Sequence, residues 1–164
     1  MSELPPGARA VVVTASNRAS AGVYEDRSGQ ALADGLRSLG FEVEGPHVRP
    51  DDVDALVAVL RDAVASGADV VLTTGGTGLS PTDVTPEATR AVLEREAPGL
   101  ADAVRRYGEG TVPTSVLSRG IAGTAGRTLV VNLPGSTGGV RDGLAVLGPL
   151  LPHVVSQLRG GDHP

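Results

Sequence analysis

The sequence has 164 residues, of which 40% are hydrophobic and 20% are charged, and this composition is typical of one compact globular domain. Cysteine is absent, which excludes disulfides, thiolate metal sites and cysteine nucleophiles, and all 14 basic residues are arginine, which excludes a Schiff-base or P-loop lysine. The formal net charge of −5 weighs against nucleic-acid binding, which normally needs a basic face.

The histidines and the apolar segments bear on metals and membranes. His47, His153 and His163 are far apart and have no partner at metal-ligand spacing, so we expect no tightly bound metal. The N-terminus has no charged leader followed by an apolar stretch, and no run of about 18 apolar residues occurs. We therefore expect a cytoplasmic protein that binds neither membranes nor nucleic acid.

The first part of the chain predicts a strand, a loop and a helix. After a Pro/Gly-rich lead-in, the apolar residues 9–16 predict a strand. A polar loop follows over residues 17–27. From Ser28 the apolar residues recur at helical spacing, and Gly40 is suited to end that helix.

Two strands and an amphipathic helix come next. Residues 41–48 predict a second strand, closed by Pro50. Apolar residues then fall on one face of a helix that runs from Val53 until Gly67. Residues 68–74 form an apolar run, as expected of a strand buried on both faces of a parallel sheet.

The second half predicts helices around one further strand. Residues 86–107 suit two helices divided at Pro98–Gly99, with Thr85 as the N-cap of the first. Residues 128–133 predict a strand entered from a glycine-rich segment, where a short hairpin fits. Residues 138–159 have a helical pattern interrupted by glycine and proline, which predicts two helices with a kink.

Strands that alternate with helices predict an α/β fold with three layers, α/β/α, in which a mostly parallel sheet carries helices on both faces and a short hairpin. We expect a single domain over residues 9–160, with a lead-in over 1–8 and a tail over 161–164. Ligands of such sheets bind beyond the carboxyl ends of the strands. The motifs that follow the strands are therefore the candidate site.

The third strand ends in the run Thr73-Thr74-Gly75-Gly76-Thr77-Gly78. Glycine permits left-handed backbone and close approach of main-chain N–H groups to an anion, and the threonines add hydroxyl donors, so the run suits an oxyanion-binding loop. It equally fits a turn that needs glycine only for its geometry. It is not a Walker A loop, because no Gly-Lys-Ser/Thr follows.

Two aspartates and a second loop follow other strands. Because Thr85 is the expected cap, Asp83 is free for chemistry, and a carboxylate beside a phosphate loop suits Mg²⁺ coordination, although a solvated loop aspartate is the simpler alternative. Asp51 is placed either for chemistry or as the N-cap of the next helix. The run from Asn132 to Thr137 suits anion binding at a helix N-terminus, with Ser136 or Thr137 as cap, and also fits plain turn chemistry.

Five motifs occur in register along the chain: TTGGTG, DVTPEAT, REAPG, LSR and NLPGS. Together they resemble the MogA/MoaB family of molybdenum-cofactor enzymes, which includes domains of gephyrin and of a plant homologue. The resemblance covers roughly residues 9–159, nearly the whole chain. Within the family, DVTPEAT and NLPGS are similar to the adenylyltransferase branch, whereas the MoaB branch tends to depart from both.

The resemblance implies a MogA-like molybdopterin-binding fold, usually trimeric, and an enzyme that transfers AMP from MgATP to the terminal phosphate of molybdopterin and releases pyrophosphate. It implies molybdopterin, ATP and Mg²⁺ as ligands and the downstream molybdenum insertase as a partner. The alternative is a MoaB-like pterin-binding scaffold without adenylyl transfer. The presence of both Asp51 and Asp83 weighs against that alternative.

The resemblance also implies site residues. The acidic positions implicated in the family's catalysis match Asp51 and Asp83, which we expect to hold Mg²⁺. Relatives commonly have Ser-Asp after the first strand, where this chain has Ser16-Asn17, so that negative charge is missing here. The segments that contact ligands in the family match Ser16, Thr74, Gly75, Gly76, Thr77, Gly78, Ser118, Asn132, Pro134, Gly135 and Ser136.

Overall fold

The computed structural model describes residues 3–161 of the chain. Residues 1–2 of the expected lead-in and residues 162–164 of the expected tail, with His163, lie outside the described residues. Between residues 3 and 161, none of the helices combines the length and the apolar character that crossing a bilayer requires.

The elements follow the predicted order. The strands of the described chain are β1 (Arg9–Ala15), β2 (Glu42–Arg49), β3 (Val70–Thr74), β4 (Arg95–Glu96), β5 (Ala122–Ala125) and β6 (Thr128–Leu133). The α-helices are α1 (Asn17–Ser20), α2 (Arg27–Ser38), α3 (Val53–Ala65), α4 (Thr85–Val92), α5 (Pro98–Glu109), α6 (Thr137–Leu147) and α7 (Leu151–Leu158), and a 3-10 turn spans Pro113–Leu117.

The strands form one sheet in the order β2-β1-β3-β6-β5-β4. Strands β2, β1, β3 and β6 are parallel, whereas β5 runs antiparallel to both of its neighbours. The chain leaves β1 toward β2 on one side and returns to add β3 on the other. The strand order therefore reverses between β1 and β3, and such a switch point opens a crevice at the carboxyl ends of the strands.

Helices cover both faces of the sheet because the side chains of its strands alternate between them. Val12 of β1 packs in a core cluster with α2, α5, α6 and α7. Its neighbours Val11 and Val13 pack in a second cluster with α3 and α4. All five residues of β3 are buried, as expected of a central parallel strand. The predicted three-layer α/β fold is confirmed.

Local structure agrees with most expectations and departs from a few. The break between α4 and α5, the hairpin of β5 and β6, and the two C-terminal helices are present. The predicted loop over residues 17–27 instead begins with the short helix α1, because the side chain of Ser16 accepts the N–H of Ala19 and caps it. The two-residue strand β4 is too short to leave a periodic pattern in the sequence.

Candidate functional site

Two adjoining cavities, of about 540 Å³ and about 530 Å³, lie where the carboxyl ends of the parallel strands meet. Gly76, Asp83 and Gly135 line both cavities. The predicted site residues that line only the first are Thr77, Gly78, Ser118, Asn132, Pro134 and Ser136. Those that line only the second are Ser16, Asp51, Thr74 and Gly75. The structure thus brings every predicted site residue to one of the two cavities.

The glycine loop (residues 74–78) is bonded to the proline loop (residues 132–136). The hydroxyl of Thr74 donates to the carbonyl oxygen of Pro134 at 2.7 Å, and the N–H of Gly75 donates to that of Leu133 at 3.1 Å. A Cβ on Gly135 would lie 3.2 Å from the Cα of Gly75, so any larger residue would make a tight contact that displaces one of the two backbones slightly. The Thr74 hydroxyl holds the two loops together.

Gly76 is required both for its backbone and for space. Its φ is 69°, in the left-handed region. A Cβ at this position would lie 2.3 Å from Oγ1 of Thr85 and 3.1 Å from Oδ1 of Asp51. The absence of a side chain therefore lets the Asp51 carboxylate lie directly against the glycine loop. Glycine at position 76 is thus needed for the position of Asp51 as well as for the backbone conformation of the turn.

Asp51 is oriented by Asn17 and keeps one oxygen free. The backbone N–H of Asn17 donates to Oδ2 of Asp51 at 3.2 Å, and the N–H of Asp51 donates to Oδ1 of Asn17 at 2.8 Å. The other oxygen, Oδ1 of Asp51, is buried and finds no hydrogen-bond partner among the described residues. Because a buried polar atom without a partner is costly, this oxygen is suited to an external ligand.

The alternative that Asp51 caps α3 is wrong. Helix α3 is capped by the next residue, Asp52, whose side chain accepts the N–H of Ala55 at 2.9 Å. The sequence offers two adjacent aspartates as caps, and only one can have its backbone at the N-cap position. Asp52 is the N-cap of α3, and Asp51 instead lines the second cavity.

The negative charge of Asp83 affects the ionisation of Asp51. Burial raises the pKa of Asp51 above its ordinary value, the N–H of Asn17 partly opposes this, and the negative charge of Asp83 raises the pKa further. Both residues line the second cavity, so the charge of Asp83 disfavours the ionised form of Asp51 there.

Asp83 lies in the turn between the glycine loop and α4. Its side chain accepts the N–H of Ser80 at 3.1 Å, and its own N–H donates to the Ser80 carbonyl oxygen at 2.9 Å. A Cβ on Gly78 would lie 2.8 Å from Oδ2 of Asp83, so this carboxylate also packs against the glycine loop. The hydrogen bond from Ser80 and the contact with Gly78 therefore fix the Asp83 carboxylate, which is not a freely solvated loop side chain.

The prediction that Thr85 caps α4 is wrong. Thr85 is the first residue of the helix, and its N-cap, Val84, makes no side-chain capping bond. The Thr85 hydroxyl is fully buried and donates to the carbonyl oxygen of Gly75 at 3.0 Å. This long-range bond ties the start of α4 to the glycine loop, and it competes successfully with local capping.

Asn132 supports the site from within the sheet. Its side-chain nitrogen donates to the hydroxyls of Thr73 at 3.0 Å and Thr89 at 2.9 Å, and its oxygen accepts the N–H of Ile121 at 3.2 Å. The residue is 3% exposed. These bonds fix β6 to its neighbours at the start of the proline loop.

The predicted serines also make local bonds. Each accepts a backbone N–H from a residue two or three positions later: Ser16 from Ala19 at 3.1 Å, Ser118 from Gly120 at 3.3 Å and Ser136 from Gly139 at 2.9 Å. The bond to Ser136 confirms it as the cap of α6. The N-terminus of α6 consequently opens onto the first cavity.

The predicted site omits Arg119, which follows Ser118. Its guanidinium donates to the carbonyl oxygens of Gly78 and Asp83 and pairs with Glu87. No spacing rule links Arg119 to Glu87, which is 32 positions away. The only sequence signal is that both lie in motifs of the resemblance, LSR and DVTPEAT.

Comparison with known proteins gives a consistent result. A family model described as "Probable molybdopterin binding domain" matches residues 11–153. A molybdopterin adenylyltransferase of Helicobacter pylori is 37% identical over 154 residues, which cover 91% of this chain and 86% of the relative. A molybdenum cofactor biosynthesis bifunctional protein of Chlorobaculum tepidum is 35% identical over 94% of this chain, which spans 50% of that longer protein.

The fold has close counterparts among solved structures. The molybdopterin biosynthesis Mog protein of Mycobacterium ulcerans superposes with a TM-score of 0.88 at 51% sequence identity. The match covers 93% of this chain and 99% of the Mycobacterium chain.

Proposed function

Because the chain belongs to the family of probable molybdopterin binding domains, we propose that it acts in molybdenum-cofactor biosynthesis as a molybdopterin adenylyltransferase. In the proposed reaction an oxygen of molybdopterin's terminal phosphate attacks the α-phosphorus of ATP. A new P–O–P bond forms, the bond between the α-phosphorus and its bridging oxygen to the β-phosphate breaks, and pyrophosphate leaves. The phosphate nucleophile is already ionised at neutral pH, so no strong general base is needed.

One observation carries this proposal: Oδ1 of Asp51 is buried and has no hydrogen-bond partner within residues 3–161, and it lies beside the charge of Asp83. Carboxylate oxygens are the ligands that Mg²⁺ prefers, and Mg²⁺ is commonly bound by one or two carboxylates together with substrate phosphates. Within residues 3–161 no group of three acidic, histidine or cysteine side chains could hold a metal by itself. A pair of aspartates fits a cation that arrives with ATP.

Asp51 and Asp83 would hold Mg²⁺, which when bound would neutralise charge on the phosphates. The main-chain N–H groups of Gly76, Thr77 and Gly78 would bind phosphate oxygens on one side. The N–H groups of Gly135 and Ser136, at the start of α6, would bind them on the other. In this arrangement the protein contributes positioning and charge neutralisation, which suffice for phosphoryl transfer.

The same resemblance supports three further proposals about the protein in the cell. We propose that the chain forms a homotrimer, that it acts in the cytoplasm, and that it passes adenylylated molybdopterin to the molybdenum insertase.

The direct test is release of pyrophosphate by the purified protein. The proposal predicts release only when molybdopterin, ATP and Mg²⁺ are all present, with adenylylated molybdopterin formed in equal amount. Calorimetric titration with MgATP and with molybdopterin distinguishes the adenylyltransferase from a pterin-binding scaffold. A protein that binds molybdopterin but neither binds MgATP nor releases pyrophosphate would be a pterin-binding scaffold, and the proposed activity would be refuted.

A further inference from the structure

Arg119 joins the glycine loop to the start of α4. Its backbone N–H donates to the carbonyl oxygen of Thr77 at 2.7 Å, and its Nε donates to that of Gly78 at 2.8 Å. Both acceptors belong to the glycine loop. The residue therefore holds the outgoing end of that loop through its main chain and its side chain together.

The rest of the guanidinium reaches the segment that carries Asp83. Nη2 donates to the carbonyl oxygen of Asp83 at 2.8 Å and to Oε1 of Glu87 at 3.1 Å, and Nη1 donates to Oε2 of Glu87 at 2.7 Å. The planar fork of arginine matches a carboxylate with two parallel bonds, which fixes direction as well as distance. One side chain thus sets the spacing between the glycine loop, Asp83 and the first turn of α4.

The charges favour a permanent pair. The bonds from Arg119 lower the pKa of Glu87, and the bonds to Glu87 raise the pKa of Arg119, to which the charge of Asp83 also contributes. The Arg119 side chain is 35% exposed, so its ion pair with Glu87 contributes little to the free energy of unfolding. Its effect is expected in geometry more than in overall stability.

We propose that Arg119 is a positioning residue that fixes the carboxylate of Asp83 relative to the glycine loop and to Asp51. The inference rests on the proposed function insofar as Asp83 serves a cation. Glu87 orients the guanidinium, and the backbone carbonyl oxygen of Asp83 accepts a hydrogen bond from it. The backbone at Asp83 therefore cannot shift independently of the glycine loop. Arg119 itself need not contact substrate.

Arginine-to-alanine variants test this role, with a control on α4, the helix that carries Glu87. Arg90 forms an exposed ion pair with Glu96 through one hydrogen bond of 3.3 Å. Arg119→Ala should accelerate hydrogen–deuterium exchange over residues 76–87 and weaken Mg²⁺-dependent ATP binding by about 10- to 100-fold. Arg90→Ala should leave both quantities at the wild-type level.

Arg119→Lys separates positioning from simple stabilisation. Lysine keeps the charge but loses the planar fork, so we expect thermal stability near that of the wild type without recovery of Mg²⁺-dependent ATP binding. Recovery of wild-type exchange and Mg²⁺ dependence by lysine would overturn the proposal, as would unchanged values in Arg119→Ala. If the alanine variant does not fold, Glu87→Gln decides: faster exchange over residues 76–87 supports the role, and wild-type exchange overturns it.

A protein that lacks the proposed adenylyltransferase activity can be told apart from one in which Arg119 has no positioning role. If the wild-type protein neither binds ATP at any Mg²⁺ concentration nor releases pyrophosphate, the adenylyltransferase assignment fails. The exchange measurement on residues 76–87 still decides whether Arg119 fixes the Asp83 segment, because it needs no substrate.

Discussion

Asn17 and Asp51 bind each other through two reciprocal hydrogen bonds, each with a backbone N–H donating to the other residue's side-chain oxygen, at 3.2 Å and 2.8 Å. The pair uses Oδ2 of Asp51 and leaves Oδ1 without a partner among the described residues. An asparagine at position 17 accepts this bond without adding a third negative charge beside Asp51 and Asp83. Position 17 therefore sets the orientation of Asp51 without a charge of its own.

Asn17→Asp tests the value of that neutrality. The variant can still accept the N–H of Asp51, but its charge should raise the pKa of Asp51 further. We expect the acidic limb of the pH–activity profile to move to higher pH, with little change in thermal stability. An unchanged profile would show that position 17 does not influence the ionisation of Asp51.

Asp51→Asn should separate activity from stability. The amide can still accept the N–H of Asn17, but it cannot supply charge to a cation, so pyrophosphate release should fall about 100-fold or more. Asp52→Asn is the matched control, because asparagine caps a helix about as well as aspartate. Similar turnover rates in the two variants would show that the reaction does not need the carboxylate of Asp51.

The raised pKa of Asp51 also predicts how stability depends on pH. Because its folded-state pKa lies above the unfolded value, this carboxyl contributes most stability when protonated, and the contribution is lost as pH rises through the folded pKa. Asp51→Asn should therefore be as stable as the wild type or more stable at pH 7. Urea denaturation at pH 7 measures this, and a clear loss of stability would contradict the burial argument.

Asp83→Asn should remove adenylyl transfer and leave molybdopterin binding largely intact. The side chain keeps its hydrogen bond from Ser80 in isosteric form, so the turn before α4 should persist. Activity is measured by pyrophosphate release and pterin binding by calorimetry. Near-normal turnover would count against a role for Asp83 in the reaction.

Gly76→Ala and Gly7→Ala share a backbone conformation but differ in surroundings. Their φ angles are 69° and 68°, yet a Cβ on Gly7 meets no atom within 4 Å, whereas one on Gly76 would lie 2.3 Å from Oγ1 of Thr85. We expect Gly76→Ala to lower the free energy of unfolding by about 1–3 kcal/mol more than Gly7→Ala. Equal losses in urea denaturation would mean that the contacts at Gly76 relax freely.

Asp69 anchors the opposite end of the sheet. It is 7% exposed, and Arg159 donates to both of its oxygens, at 2.9 Å and 2.8 Å. Burial raises the pKa of Asp69, but the bonds from Arg159 and from the N–H of Arg9 together lower it below the ordinary value. Its contribution to stability is therefore present above the unfolded-state pKa and lost as pH falls through the folded-state pKa.

Asp69→Asn should thus destabilise the protein by about 1–3 kcal/mol at pH 7. The difference should shrink as pH falls below about 4, where the wild-type carboxyl is protonated in the unfolded chain. Asp34→Asn, which breaks an exposed ion pair with Arg37, should cost less than about 0.5 kcal/mol. A difference that persists at low pH would contradict the assigned ion pair.

The sequence predicts those elements whose cause is local. The buried run of β3 and the single apolar face of α3 appear as predicted, because periodicity reflects burial directly. Helix caps are less predictable where a tertiary bond competes. Thr85 precedes a proline, as a cap should, but its hydroxyl bonds to Gly75, which is ten positions away in sequence.

The site is predictable in its residues but not in their relationships. Motifs identify Asp51 and Asp83, yet only the folded chain shows that Gly76 lies against one and Gly78 against the other. The contacts of Arg119 could not be predicted from the sequence, because its hydrogen-bond acceptors lie in the glycine loop and in α4, which only the fold brings together.

In the proposed reaction, Asp51 and Asp83 share one cation with the phosphates of ATP. The most direct measurement is a crystal structure of the protein with ATP and Mn²⁺, whose anomalous scattering locates the metal. We expect one metal peak bound to Oδ1 of Asp51, to the Asp83 carboxylate and to ATP phosphates that lie against the glycine loop. A metal bound to neither aspartate, or ATP phosphates held away from that loop, would contradict this expectation.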